Sequence, residues 1–417
     1  MEIKAGYKQT EVGIIPEDWE VKPLGRLVLS VEYGSSAKSS TQGQMPVLRM
    51  GNLQDGKIDW NDLVYTSNEF EINKYQLRPG NVLFNRTNTI DLVGKTSIYD
   101  GERPAIFAGY LIRINVDKSL LNSQFLNYIL NTEFSRKYSS KVLSVAVGQA
   151  NINAQKLKTY PIPLPPNKDE QDAIAQALSD TDALIEALEQ LLTKKRQVKQ
   201  GAMQELLRVK DNWASTNLGS IADPNKRWSY TGGPFGSNLK ASDYTDDGIR
   251  VIQLQNIGDG EFKPEYEVFT SKQKADELLS CNIYPGEIIL SKMGDPVARA
   301  CIIPSLHERY VMCSDGIRLA VDQKRFSTYF VYTVINAKDF RTKAENAGVG
   351  STRKRIGLTE LRSLELFCPP LPEQTAIAEI LSDMDAEIAT LEGKLSKARQ
   401  VKQGMMQELL TGRIRLI

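Results

Sequence analysis

"EQTAIAEILSDMDAEIATLEGKLSKARQVKQGMMQELL", residues 373–410, repeats without a gap "EQDAIAQALSDTDALIEALEQLLTKKRQVKQGAMQELL", residues 170–207. Roughly two-thirds of the positions are identical, far beyond chance, so a whole segment is duplicated. In the second copy Ile377, Leu381, Met384, Ile388, Leu391, Leu395 and Ala398 step alternately by four and three, the spacing of a coiled-coil seam. The first copy supplies Ile174, Leu178, Thr181, Ile185, Leu188, Leu192 and Lys195, weaker at its two polar positions. A helix of about 38 residues extends about 57 Å at 1.5 Å per residue. Its apolar stripe needs cover, and the other copy is the obvious partner. "PIPLPPNKDEQ" and "CPPLPEQ" stand before the copies, and proline is tolerated just before and within a first helical turn, so these runs predict helix starts.

The alternatives are that each helix serves only its own globular segment, or that the duplication serves homodimerisation. Against both, "RQVKQG" places charge and glutamine where a simple zipper stays apolar, and "MQELL" then returns to Met and Leu. These last turns predict a docking surface for a partner. The residues concerned are Arg196, Gln197, Lys199, Gln200 and Met203 in the first copy, and Arg399, Gln400, Lys402, Gln403 and Met406 in the second.

The segments before the helices are also duplicated, more loosely. Trp19 precedes Leu24 and Gly25 as Trp213 precedes Leu218 and Gly219. "VLRMGNLQDGK" (47–57) answers "VIQLQNIGDGE" (251–261), and "LRPGNVLFNRT" (77–87) answers "IYPGEIILSKM" (283–293), a turn and then an alternating strand ending in a cation. "VAVGQANINAQKL" (145–157) answers "AGVGSTRKRIGL" (347–358). Short strands broken by Gly and Asn turns mix with helical stretches such as 123–138 and 327–345. The fold class expected is α+β: two tandem globular domains, residues 1–166 and 208–368, alternating with two long antiparallel coiled-coil helices, residues 167–207 and 369–417. Such pairing would relate the halves by a pseudo-twofold axis and make a ruler. Heads about 40 to 50 Å apart would span roughly 12 to 15 base pairs of duplex DNA.

Composition bounds the chemistry. The 417 residues are 41% hydrophobic and 25% charged, enough for two to four ordinary cores. No stretch approaches the roughly 18 apolar residues of a membrane span, and "MEIKAGYKQTEVG" lacks the apolar core of a secretory signal, so a cytoplasmic location is expected. Cys281, Cys301, Cys313 and Cys368 show no C-x-x-C pairing and are expected as reduced, buried thiols; no metal site is expected. His307, the one histidine, sits in "PSLHERY" between charged neighbours and is expected in a surface loop rather than in a catalytic triad. Lys plus Arg number 52 against 51 Asp plus Glu, so any nucleic-acid binding depends on where cations cluster.

Arg, Lys, Asn and Gln make the contacts that tell base edges apart. "FNRTNT" offers Asn85, Arg86 and Asn88 just past a strand, and "GQANIN" offers Gln149, Asn151 and Asn153. In the second half "GSTRKR" offers Ser351, Thr352, Arg353, Lys354 and Arg355 in the loop equivalent to the latter, while Lys292 and Arg299 flank "MGDPVA". Each alone is equally a solvated turn, but the same two positions carry such residues twice. Enzyme motifs fail on mechanism. "VGKT" (93–96) ends like a phosphate loop, but the glycine required five residues before Gly94 is Thr89. No Gly-rich strand-to-helix turn suggests S-adenosylmethionine, no Asn-Pro-Pro-aromatic motif suggests amino methylation, and "EVK" (20–22) is half of a nuclease site of a kind common in charged sequences.

The opening "TEVGIIPEDWEVKPLG" (10–25), the passage from "IPLPP" into "EQxxIxxxLxxxD" (Ile162, Glu170, Gln171, Ile174, Leu178, Asp182) and the ending "RQVKQGxMQELL" resemble the specificity subunit of type I restriction-modification systems. The resemblance covers essentially the whole chain. It implies that each globular segment is a target recognition domain for one half of a bipartite, asymmetric DNA sequence, with the helices fixing the unread gap. It further implies two modification subunits that bind S-adenosylmethionine and methylate adenine, and two restriction subunits, ATP-dependent motor-nucleases using ATP and Mg. This chain is then expected to be non-catalytic and without a cofactor of its own. The rivals are a DNA-free coiled-coil adaptor, which would lack salt-dependent DNA affinity, and the specificity subunit of a related fused or orphan system.

Overall fold

The structure, a computed structural model, describes residues 5–146, 149–350 and 353–416. The chain divides into two compact units, one of residues 1–190 with 393–417 and one of residues 191–392. Both dividing points fall inside the duplicated helices, so each unit holds one globular segment together with parts of both helices.

The first unit contains β1 (Glu20–Pro23), β2 (Val28–Tyr33), β3 (Asn81–Asn85), β4 (Thr87–Asn88), β5 (Thr96–Tyr99), β6 (Leu111–Val116), α1 (Ser123–Leu130), α2 (Glu133–Val142), β7 (Ser144–Ala146), β8 (Gln149–Asn151), β9 (Pro161–Leu164) and the long α3 (Lys168–Leu206). An antiparallel sheet runs β5-β3-β6-β2. Its strand β3 is buried on both faces instead of alternating, because Val82 and Phe84 enter one apolar cluster and Leu83 another. The helical stretch 123–138 breaks in two. Asn131 turns its amide onto the Thr96 carbonyl at 3.0 Å, and the Thr132 hydroxyl accepts from the Ser135 N–H, capping a new helix.

The second unit repeats the scheme with β10 (Ala214–Asn217), β11 (Tyr230–Gly232), β12 (Ile288–Ser291), β13 (Ala300–Ile302), β14 (Gly316–Leu319), α4 (Thr328–Asn336), α5 (Lys338–Ala347), α6 (Leu358–Ser363), β15 (Glu365–Cys368) and the long α7 (Leu371–Leu409). Its sheet runs β13-β12-β14-β11. The registers coincide: Ile112 faces Phe84 and Tyr33, and Ile317 faces Leu290 and Gly232. The predicted helix over 327–345 also breaks, where Asn336 donates to the Ala300 carbonyl at 3.1 Å. All four cysteines are free and buried, and burial pushes the Cys301 and Cys368 thiols up to about 12 and that of Cys313 to about 11. His307 lies in a turn, half-buried, edge-on to Phe269 and Tyr310.

Every predicted seam position is buried or half-buried. In the first unit Ile174 and Leu178 share a core with Leu409 and Leu410, and Lys402 pairs with Asp182 at 2.6 Å and Arg399 with Glu189 at 2.6 Å. The reversed order of these pairs makes the helices antiparallel there. In the second unit Ile377 and Leu381 pack with Met203, Leu206 and Leu207, and Lys199 pairs with Asp385 and Arg196 with Glu392. The proline runs do more than mark helix starts. Pro161 and Pro163 lie in β9, opposite Pro23 and Val21 of β1, a two-stranded pairing in which proline's missing N–H is tolerated. Among the described residues no helix is long and apolar enough to cross a membrane.

Candidate nucleic-acid interface

In each unit two loops far apart in sequence fold into one surface. In the first, β4 pairs with β8, Thr87 opposite Asn151 and Asn88 opposite Ala150, and β8 pairs on its other edge with β7. The Ile152 N–H donates to the Arg86 carbonyl at 2.9 Å. In the second, Met293 and Val349 both bridge to Arg355, and the Ile356 N–H donates to the Lys292 carbonyl at 2.9 Å. Glycines let the chain pass closely beneath. A Cβ on Gly34, just after β2, would lie 2.4 Å from the Phe107 and Ala108 carbonyl oxygens, and one on Gly233, just after β11, 1.7 Å from that of Cys313.

The predicted polar residues divide by exposure. Gln149 is exposed on β8, and Asn153 is exposed while capping a short helix, its side chain accepting from the Lys156 N–H at 2.9 Å. Asn151 and Asn88 are half-buried, the first donating to the Thr87 hydroxyl at 2.7 Å, the second accepting from the Thr89 N–H at 2.8 Å. Asn85 is fully buried and donates to the Leu92 carbonyl at 3.3 Å, so it holds the loop from beneath. Arg86 lies over the Tyr33 ring, 4.6 Å from its centroid, with Nη1 donating to the Gly109 carbonyl at 3.3 Å.

In the second unit Arg353 is exposed, Lys354 donates to the Glu345 carbonyl at 3.3 Å, and Arg355 pairs with Asp315. Ser351 and Thr352 lie outside the described residues. Lys292 is half-buried, donating to the Ser314 carbonyl at 3.2 Å, and burial holds its pKa below the usual lysine value. Arg299 is half-buried in the connection from β12 to β13, its carbonyl accepting from the Ser291 N–H at 2.8 Å. Sequence reasoning missed the aromatic and apolar side chains of these loops: Tyr33 and Tyr110 in the first unit and Val349 in the second, all exposed. The available signal in the first unit was an aromatic beside glycine, in "EYG" and "GYL".

The long helices grip each globular segment by one repeated device. Gln171 accepts from the Asn122 N–H at 3.0 Å and donates to the Leu120 carbonyl at 3.1 Å; Gln374 accepts from the Ser327 N–H at 3.0 Å and donates to the Arg325 carbonyl at 3.3 Å. Tyr128 donates to Asp182 at 2.8 Å, and Tyr329 to Asp385. Those aspartates are the ones that pair with Lys402 and Lys199. Arg196, Lys199, Arg399, Lys402, Met203 and Met406 thus serve contacts within the chain, while Gln197, Gln200, Gln400 and Gln403 are exposed. Cavities open beside both helix pairs. One of about 670 Å³ in the second unit is lined by Arg196, Lys199 and Met203, and one of about 720 Å³ in the first by Gln403 and Met406.

Paired α+β units built on a duplicated helix, with unlike side chains on matching loops, define a class of repeated binding protein. The type I restriction modification DNA specificity domain matches residues 16–200 and 239–400, well over half of the chain, and the chain belongs to that family, the specificity subunits of type I restriction-modification systems. A Methanocaldococcus jannaschii chain provisionally named as the specificity subunit of the type I restriction enzyme MjaX is 28% identical, over 98% of this chain and 97% of that one. The StySPI specificity subunit of Salmonella potsdam is 23% identical over 95% of this chain and 89% of its own. The crystal structure of the type I S subunit from M. genitalium superposes with a TM-score of 0.63 at 14% identity, covering 98% of both chains, a likeness of fold.

Proposed function

We propose that the chain reads a bipartite, asymmetric duplex DNA site, each unit contributing the loop surface described above and the helices fixing the number of unread base pairs between the halves. The observation that carries this is the substitution pattern. Matching backbone contacts hold the two surfaces, Thr87 opposite Asn151 as Met293 is opposite Arg355, while Arg86 is replaced by Lys292, Asn151 by Arg355 and Asn88 by Gly294. A scaffold kept constant under changed hydrogen-bonding groups is what reading two unlike sequences requires. In this reading the chain is non-catalytic, works in the cytoplasm, and scaffolds two modification subunits and two motor-nuclease subunits beside the exposed glutamines and the two cavities. S-adenosylmethionine, ATP and Mg then belong to those partners.

The test is selection from a random duplex library with the chain co-purified with its methylating partner. Two short unlike motifs at one fixed spacing are expected, and shortening both helices by matching deletions is expected to change that spacing. An unchanged gap would overturn the ruler; no motif at all, with the partner present and soluble, would leave the protein adaptor.

A further inference from the structure

Tyr33 and Arg86 form a unit that the second half of the chain replaces as a unit. Tyr33 ends β2, and its hydroxyl accepts from the Ala154 N–H at 2.9 Å, beyond β8. Its ring carries the Arg86 guanidinium, which Gly109 holds from the side. Three elements of the loop surface are thereby fixed by one aromatic side chain that is itself 42% exposed. By strand register the counterpart of Tyr33 is Gly232, and that of Arg86, two residues beyond Phe84, is Lys292, two beyond Leu290. A Cβ built on Gly232 would lie 2.6 Å from the Lys292 Nζ, so the lysine occupies the space an aromatic would need. The platform and the planar cation occur together, or neither occurs.

A guanidinium held over a ring and tethered at one nitrogen has few orientations left for its free N–H groups. Such restriction favours two parallel hydrogen bonds to the O6 and N7 of guanine, which a lysine point charge does not supply. We infer that Tyr33 is a specificity-determining positioning residue, which holds Arg86 to read a guanine in the half-site of the first unit. This rests on the bipartite DNA reading proposed above.

The experiment uses the complex with its methylating partner and competes its selected duplex against two sets of variants. One set changes single base pairs, and the other replaces single guanines with 7-deazaguanine, which lacks N7. The chain as it stands is expected to lose roughly 10- to 100-fold in binding at one guanine of one half-site on either change, the size of one bidentate contact. Tyr33→Leu should flatten that preference while leaving the other half-site's preferences intact, Tyr33→Phe should keep most of it, and Arg86→Lys should abolish it. If Tyr33→Leu weakens all sequences equally, or if no guanine in either half-site is sensitive to 7-deaza substitution, the inference is overturned while bipartite reading stands. Tyr33→Leu that unfolds is replaced in the test by Arg86→Lys, whose unchanged preference would also overturn it. Recovery of no motif would sink both readings together.

Discussion

Asn131 in the first unit and Asn336 in the second each close a helix by donating to a carbonyl of the sheet, Thr96 in one case and Ala300 in the other. Gln171 holds the start of α1 and Gln374 that of α4, and Gly56 and Gly260 both turn with positive φ beneath a donor from the same helix, Asn127 or Tyr332. Against this constancy stand Tyr33 and Gly232, Tyr110 and Asp315, and Asn151 and Arg355, at positions matched by strand register or by equivalent backbone bonds. The difference teaches where the molecule tolerates variation. Contacts that satisfy backbone groups of the scaffold are repeated, by the same residue in Asn131 and Asn336 or Gln171 and Gln374 and by a different one in Asn127 and Tyr332, because an orphaned group there costs about 1–3 kcal/mol. On the loop surface the anchoring contacts themselves differ between the units: Tyr33 accepts from the Ala154 N–H in one, and Lys292 donates to the Ser314 carbonyl in the other.

The strongest way to break this comparison is in the helix seam. Leu178 and Leu381 are both fully buried at matching positions. Leu178→Ala and Leu381→Ala are each expected to cost about 2–5 kcal/mol, as buried leucines do when truncated. Hydrogen exchange should place each loss in its own unit, and costs that differ strongly would show that the seam is not equivalently packed. Next comes the glutamine device. Gln171→Ala and Gln374→Ala are each expected to cost about 1–3 kcal/mol in denaturant unfolding, since each strands an amide and a carbonyl. A neutral result at either would mean the contact is replaced by water and the repeat there is incidental.

On the loop surface the effects should be unequal between residues and confined to one half-site. Arg353 is exposed, whereas Arg355 is held by Asp315. Arg353→Ala and Arg355→Ala are each expected to weaken one half-site by about 1–3 kcal/mol if the contact is bidentate, with the pre-organised Arg355 showing more sequence dependence. Binding measured against duplexes altered in one half-site at a time decides this. Equal loss at both halves would remove these residues from base reading.

Much of the scaffold was legible in the sequence because it is periodic and doubled. The seam stood out by its spacing of four and three, and the loops by their recurrence at matching places. What was not legible depended on contacts across the fold. Nothing local marks Asn131 as the end of a helix, since its partner Thr96 belongs to a strand 35 residues earlier. Asn85 looked like a base reader because polar residues after a strand are usually exposed, yet the central strand carries it fully into the core. The ion pairs made by the lysines and arginines of "RQVKQG" were not legible, because their carboxylates lie about two hundred residues away in sequence. The platform Tyr33 was invisible for the same reason: its role exists only once β2 is set beside the loop carrying Arg86.

The smallest expected effect distinguishes the two Tyr–Asp–Lys contacts at alkaline pH. Tyr128 is pushed up to about 12, by burial first, with the Asp182 carboxylate adding to the rise against the contrary pull of Ser179 and Gln124. Tyr329 is raised as well, by burial and then by its hydrogen bond to Asp385. A phenol whose pKa is higher folded than unfolded favours the folded state fully below its unfolded value, near 10, and loses that advantage as pH rises through the folded value. Denaturant midpoints of the first unit should therefore begin to fall above pH 10 and go on falling toward about 12. Tyr128→Phe should lessen that fall in the first unit, where Tyr160 and Tyr99, also raised by burial, keep part of it, and leave the second unit unchanged, while Tyr329→Phe does the reverse beside Tyr230, Tyr310 and Tyr332. Both variants will cost some stability at neutral pH through the lost hydrogen bond, so the slope with pH is the quantity that matters. If both slopes persist in the variants, the alkaline loss comes from other groups, and the two contacts are alike in geometry without being alike in energy.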